Sequence, residues 1–90
     1  MIGGSEMRQL YSLYDLKAQT IVGGLVIENR DGPAIRAFQD AVLDSSSSIS
    51  KHREDYVLLC IGSIDDQGTL VPAANITTVA WGEHYMEETK

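Results

Sequence analysis

The chain has one cysteine, no apolar run long enough to cross a membrane as a helix, and few cations, and each shortage removes a class of protein. Cys60 stands alone inside the run Tyr56-Val57-Leu58-Leu59-Cys60-Ile61, so no internal disulfide is available and the thiol reads as a small buried hydrophobe. A spanning helix needs about 20 apolar residues, and no stretch here approaches that length. The N-terminus also lacks the basic-then-apolar pattern of a secretion signal. The expectation is a protein that stays soluble where it is made, with Asn75-Ile76-Thr77 matching the glycosylation sequon by chance. Seven Lys and Arg against thirteen Asp and Glu leave a formal net charge of −6. That field repels phosphate backbones, whose neutralisation by cations supplies most non-specific affinity for nucleic acid. A bulk DNA coat is excluded, whereas a local basic patch or an acidic surface docking on a basic protein is not.

What is present suffices for one folded domain. A hydrophobic fraction of 43% and a charged fraction of 22% are ordinary for a globular chain. At 90 residues such a chain buries only roughly 60–65% of the surface that its unfolded form exposes. A core that thin gains stability by closing an apolar face against a second copy, so a homodimer is expected.

Residues 1–6 read as a leader ahead of the second methionine, Met7, or as a disordered N-terminus. Gln9 to Asp15 alternates and is rich in aromatic strand formers, predicting a first strand. Thr20 to Glu28 is β-branched and apolar apart from Gly23-Gly24, which predicts either one bent strand or two stubs. Asp31-Gly32-Pro33 signals a helix start with an acidic cap candidate. Ile35, Phe38 and Val42 then share one helical face, and the helix is expected to end near Asp44. The serines at 45–48 read as a surface loop. Tyr56 to Ile64 lacks a polar face and predicts a central strand, with turn chemistry at Asp65-Asp66-Gln67-Gly68 before Thr69-Leu70-Val71. Asn75 to Trp81 predicts a last strand. The fold class expected is α+β: a small, mainly antiparallel sheet with one principal helix packed on one face, spanning residues 7–82, and a polar tail or short helix at 83–90.

Candidate chemistry is sparse. His52 between Lys51 and Arg53, followed by Glu54 and Asp55, offers a titrating corner, against the simpler reading of a solvated charged turn. His84 with Glu87 and Glu88 has helical ligand spacing at a frayed terminus and lacks a further fixed ligand. Asp15, Asp65 and Asp66 suggest a carboxylate cluster, although a hairpin turn explains the last two. No nucleophile motif accompanies either histidine, and Gly23-Gly24 lacks the lysine and setting of a phosphate loop. Tyr11, Tyr14, Tyr56 and Trp81 would stack on bases if several shared an exposed sheet face; alternating aromatics more often form core or dimer interface. An enzyme is therefore not expected, nor a cofactor or metal. The best candidates for nucleic-acid or partner contact are Arg36, on the polar side of the helix, and Lys51, His52 and Arg53 before the central strand.

Several blocks taken together form one pattern. They are Leu10-Tyr11-Ser12-Leu13-Tyr14-Asp15 with Lys17-Ala18, Ala34-Ile35-Arg36-Ala37-Phe38 with Asp40-Ala41, Lys51-His52-Arg53-Glu54-Asp55-Tyr56, and Ile61-Gly62 with Asp65-Asp66, Gly68 and Pro72. In order and spacing this resembles the small nonstructural protein of the gokushovirus-type single-stranded DNA phages (Microviridae), from about Met7 to Pro72. The family often carries proline where this chain has Arg53, and the Ile21 to Val26 segment departs from the family pattern. The resemblance implies a non-virion protein in the cytoplasm of an infected bacterium, not secreted and not bound to membrane. Its implied role is that of an accessory to single-stranded genome synthesis or packaging. The partners implied are phage replication or procapsid proteins and, weakly, single-stranded DNA. The acidic surface supports a rival reading, an adaptor or inhibitor that binds a bacterial host protein.

Overall fold

The computed structural model describes residues 7–85. Four strands, β1 (Arg8–Asp15), β2 (Thr20–Glu28), β3 (Tyr56–Ile64) and β4 (Leu70–Trp81), form one sheet in the order β2-β1-β3-β4. Every neighbouring pair is antiparallel. Between β2 and β3 the chain forms helix α1 (Asp31–Leu43), the short helix α2 (Ser48–Lys51) and a 3-10 turn at Arg53–Asp55; a second 3-10 turn, Gly82–His84, follows β4.

The α+β expectation is overturned. The described chain is 48% strand and 29% helix, with a single helix longer than one or two turns, so the architecture is that of a mostly-sheet protein. β2 takes the single-strand alternative of its sequence reading, and β4 is longer than the sequence suggested. β2 runs unbroken through Gly23-Gly24, absorbing them as a register shift opposite Ser12 to Tyr14. β4 runs twelve residues through Pro72, where two separate strands were expected. Proline is tolerated there because β4 is an edge strand and one side of it has no ladder to complete.

Aspartates build both hairpin turns. Asp15 Oδ1 accepts from the amides of Lys17 and Ala18 at 2.9 and 3.0 Å. Asp65 Oδ1 accepts from those of Gln67 and Thr69, both at 2.9 Å. Gly68 completes the second turn at φ 91°, a conformation that glycine reaches without steric cost. Of the carboxylates that suggested a cluster, Asp15 and Asp65 are thus Asx-type turn residues, and Asp66 faces Arg8.

At α1 the acid Asp31 does not cap. Arg30 holds the cap position without a side-chain bond, and Asp31 Oδ1 instead accepts the Tyr11 hydroxyl at 2.5 Å, tying the helix start to β1. Burial, reinforced by that bond and by the nearby carboxylate charge, pushes the Tyr11 phenol above its ordinary range. The serine tract is more ordered than a loop reading suggests. Ser47 Oγ donates to Ala41 O at 2.7 Å and accepts from the Ser50 amide at 3.1 Å, ending one helix and capping the next. The Ser46 hydroxyl and amide donate to Asp44 and hold its carboxyl below the ordinary range.

The two faces of the sheet follow from register, because directly paired residues point the same way and alternate residues point opposite ways. On one face Tyr11, Leu58 and Ala80 meet Ala34, Phe38 and Val42 of α1 in the buried core, with Leu13, Val26, Tyr56 and Cys60 packed around them. The other face carries three complete cross-strand rows. They are Ile21-Tyr14-Val57-Trp81, Leu25-Ser12-Leu59-Thr78 and Ile27-Leu10-Gly62-Pro72. β3 is buried or half-buried along its whole length, as a strand without a polar face should be.

Candidate nucleic-acid or partner interface

Arg53 is the first of the candidates to be accounted for. Its Nη1 donates to Tyr85 O at 2.6 Å, its Nε to Ser50 O at 3.2 Å and its Nη2 to Ser50 Oγ at 3.3 Å. The guanidinium therefore clamps α2 to the segment that leaves β4. Tyr85 in turn sets its ring edge-on against Phe38, with centroids 6.1 Å apart. Gly82 makes the approach possible: a Cβ there would run into the Arg53 carbonyl oxygen and lie 2.9 Å from that of Tyr56.

Lys51 and His52 are exposed at the end of α2. A ligand atom from each of His52, Glu54 and Asp55 falls within 4.8 Å of the others. On an exposed turn with three such groups there is no closed coordination shell of the kind a structural metal requires. The alternative ligand group of His84, Glu87 and Glu88 lies partly outside the described residues, and residues 1–6, expected as a leader or disordered N-terminus, and 86–90 lie outside them.

Arg36 stands apart from this turn, since about 10 Å of helix lies between it and the end of α1. The four candidates thus do not form one patch. What Arg36 does join is Arg30, a residue that the sequence reading passed over. Together with Gly32, Pro33, Ile35, Gln39 and Asp40 the two arginines line an open cleft of about 580 Å³ on the outer side of the helix start. Neither is in an ion pair among the described residues, whereas Arg8 lies 3.5 Å from Asp66. The available signal was a cation directly before Asp-Gly-Pro with a second one six residues on, which brings both to the first turns of one helix.

The four candidate aromatic residues do not gather on one face. Tyr11 is fully buried and, with Tyr56, faces the helix, whereas Tyr14 and Trp81 lie on the opposite face. Cys60 is half-buried, its thiol 3.5 Å from Gln9 Oε1. No helix among the described residues is long and apolar enough to cross a membrane.

A small mostly-sheet protein with an arginine-lined cleft and a second face whose three complete rows carry no charge is the class that the structure defines. The chain belongs to the Phage ORF5 protein family, whose sequence profile matches residues 8–84. It is 37% identical over 84 residues to Protein ORF5 of Chlamydia phage 1, and the match covers 86% of each chain. This is a small phage protein, in agreement with the gokushovirus-type resemblance, and the family match runs past Pro72, where the resemblance in the sequence fades, to residue 84. No solved structure matches the chain.

Proposed function

We propose that the protein is a non-enzymatic accessory in the production or packaging of single-stranded phage genomes, acting in the cytoplasm of the infected bacterium. The observation that carries contact with the strand is the cleft at the start of α1. In a chain of net charge −6, Arg30 and Arg36 place two guanidiniums on one cleft, clear of ion pairs among the described residues. Arginine forks suit phosphate oxygens, and the exposed N–H groups of a helix start add to the same local field. Gln39 and Asp40 beside them offer donors and acceptors to a base edge, and Pro33 and Ile35 an apolar wall. Lys51 and His52, past the far end of the helix, form a separate and weaker point of contact. Membership of a phage family supports the setting.

A titration of labelled single-stranded DNA at low salt tests this. Wild type should bind weakly, with log affinity falling by about 0.7 per phosphate contact as log salt rises, hence by about 1.4 for two contacts. Arg30→Ala with Arg36→Ala should remove most of the binding, and Lys51→Ala only a little. Equal affinities for wild type and the double arginine variant would sink the cleft reading. No binding by wild type would shift the mechanism to protein contact, with phage replication or procapsid proteins or, on the rival reading, with a host protein that the acidic surface attracts.

A further inference from the structure

We infer that the helix-free face of the sheet is a homodimer interface, occupied by the same face of a second copy. Across its three complete cross-strand rows, four residues each, no side chain is charged, although the chain holds thirteen acids and seven bases. The opposite face, by contrast, carries Asp15 and Glu28 in its paired positions.

The shape of the face matters as much as its composition. Leu25 is 56% exposed and Ile27 43% on the β2 side, and Trp81 is 41% exposed on the β4 side, whereas Leu10 and Val57 between them are buried. The face is a trough with a closed floor and two apolar rims, and the rims are what a partner would cover. Rims of large aliphatic and aromatic side chains standing in water are unusual for a monomer unless they serve an interface.

Area points to a second copy, and the charge distribution permits it. Two molecules of net charge −6 repel each other through most relative orientations. Apposing these faces keeps the unpaired acids out of the four rows, in which Arg8, ion-paired to Asp66 at one end, is the single charged side chain. Four strands spaced about 4.8 Å apart and four rows about 7 Å apart give a footprint of about 500 Å² per copy, hence about 1,000 Å² for two. That reaches the lower bound of a specific interface at about 1,000 Å². The fourth row supplies Ile64 and Leu70 beside Arg8, whose charge faces Asp66. Two sheets packed in this way, about 10 Å apart with strands within about 30° of alignment, make a sandwich whose inner layer is the two troughs. A twofold interface needs one self-complementary patch, and a neutral apolar face satisfies that condition.

Sedimentation of the full chain from about 1 µM to about 100 µM, a range that brackets an interface of minimal size, is the direct test. The expected result is a monomer–dimer equilibrium within that range. Trp81, the single tryptophan, should shift its emission to the blue as the dimer forms. Leu25→Lys should weaken dimerisation at least about tenfold, the effect of losing about 1.4 kcal/mol. Val71→Lys, which is equally a change at an exposed apolar strand position (46%) but is paired through Ser63 with Gln9 on the opposite face, should leave dimerisation in place. Far-UV circular dichroism checks that each variant is folded, and Ile27→Thr serves as a second rim variant that keeps a β-branched residue. A monomer at every concentration would overturn the inference. So would a dimer indifferent to both rim variants, or one weakened equally by Val71→Lys.

Discussion

The two faces of one sheet are built from the same four strands and meet opposite fates. On the helix side Phe38 and Val42 of α1 reach across to Tyr11, Leu58 and Ala80 and close a core from which water is excluded. On the other side the central residues Leu10, Ser12 and Val57 are just as inaccessible, yet Ile21, Leu25, Ile27 and Trp81 around them remain between 41% and 56% exposed. The contrast is one of supply. A 13-residue helix covers one face of a four-stranded sheet, and the described chain has no second helix of comparable length for the other. A domain in that position either spends surface on a partner or leaves apolar rims in water.

The largest expected effect tests this asymmetry directly. Phe38→Ala should cost about 3–5 kcal/mol in chemical denaturation, because it opens a cavity at the centre of the covered face. Leu25→Ala, on a dilute monomeric sample, should change stability by no more than about 0.5 kcal/mol, as is usual for an exposed site without special contacts. Similar costs would mean that the two faces are not the different environments described here.

A smaller effect is expected where the covered face is closed at its end. Gly82→Ala forces a methyl group against the Arg53 and Tyr56 carbonyls. It should cost about 1–3 kcal/mol, the usual range for an overpacked site. Thermal melts should show the loss, and hydrogen exchange should place it at the Arg53 clamp and Tyr85 and leave β2 unaffected.

The smallest effect concerns the single hydroxyl linking core and helix start. The Tyr11 phenol is raised above its ordinary range by burial first and by Asp31 second. A group whose folded pKa lies above its unfolded value, here about 10, contributes stability that is complete below that pH and is lost as pH rises beyond it. Wild type should therefore lose stability steeply in urea melts as pH rises past about 10. Tyr11→Phe should flatten that loss, at a neutral-pH cost of about 1 kcal/mol for the missing hydrogen bond. Parallel pH profiles for the two proteins would contradict the assignment.

Much of the fold was legible because the relevant signals are local. Alternation predicted β1, the unrelieved apolar run predicted a central β3, and Asp31-Gly32-Pro33 marked the start of α1. The class was misread because the extent of a strand depends on its neighbours. Gly23-Gly24 leaves one bent strand or two stubs open and the stretch around Pro72 looks like a gap in isolation; they become a register shift and an edge-strand segment once β1 and β3 supply the ladder. The candidate site suffered in the same way. Arg53 looks free beside Lys51 and His52, because nothing near it in sequence announces that its guanidinium will reach a carbonyl 32 residues away at Tyr85.

By itself the sequence determined which segments become strands and helix, where aspartates turn the chain, and that Leu10, Ser12 and Tyr14 alternate without a charge among them, since period-2 patterning and turn chemistry act over a few residues. Only the tertiary structure decided which face α1 covers, that Arg53 is consumed as a clamp, that Arg30 joins Arg36 on one cleft, and that the uncharged positions of four strands align into one trough. Those outcomes depend on register and helix docking between segments far apart in the chain, and the free energy that selects them comes from closing the core around Tyr11, Phe38 and Leu58.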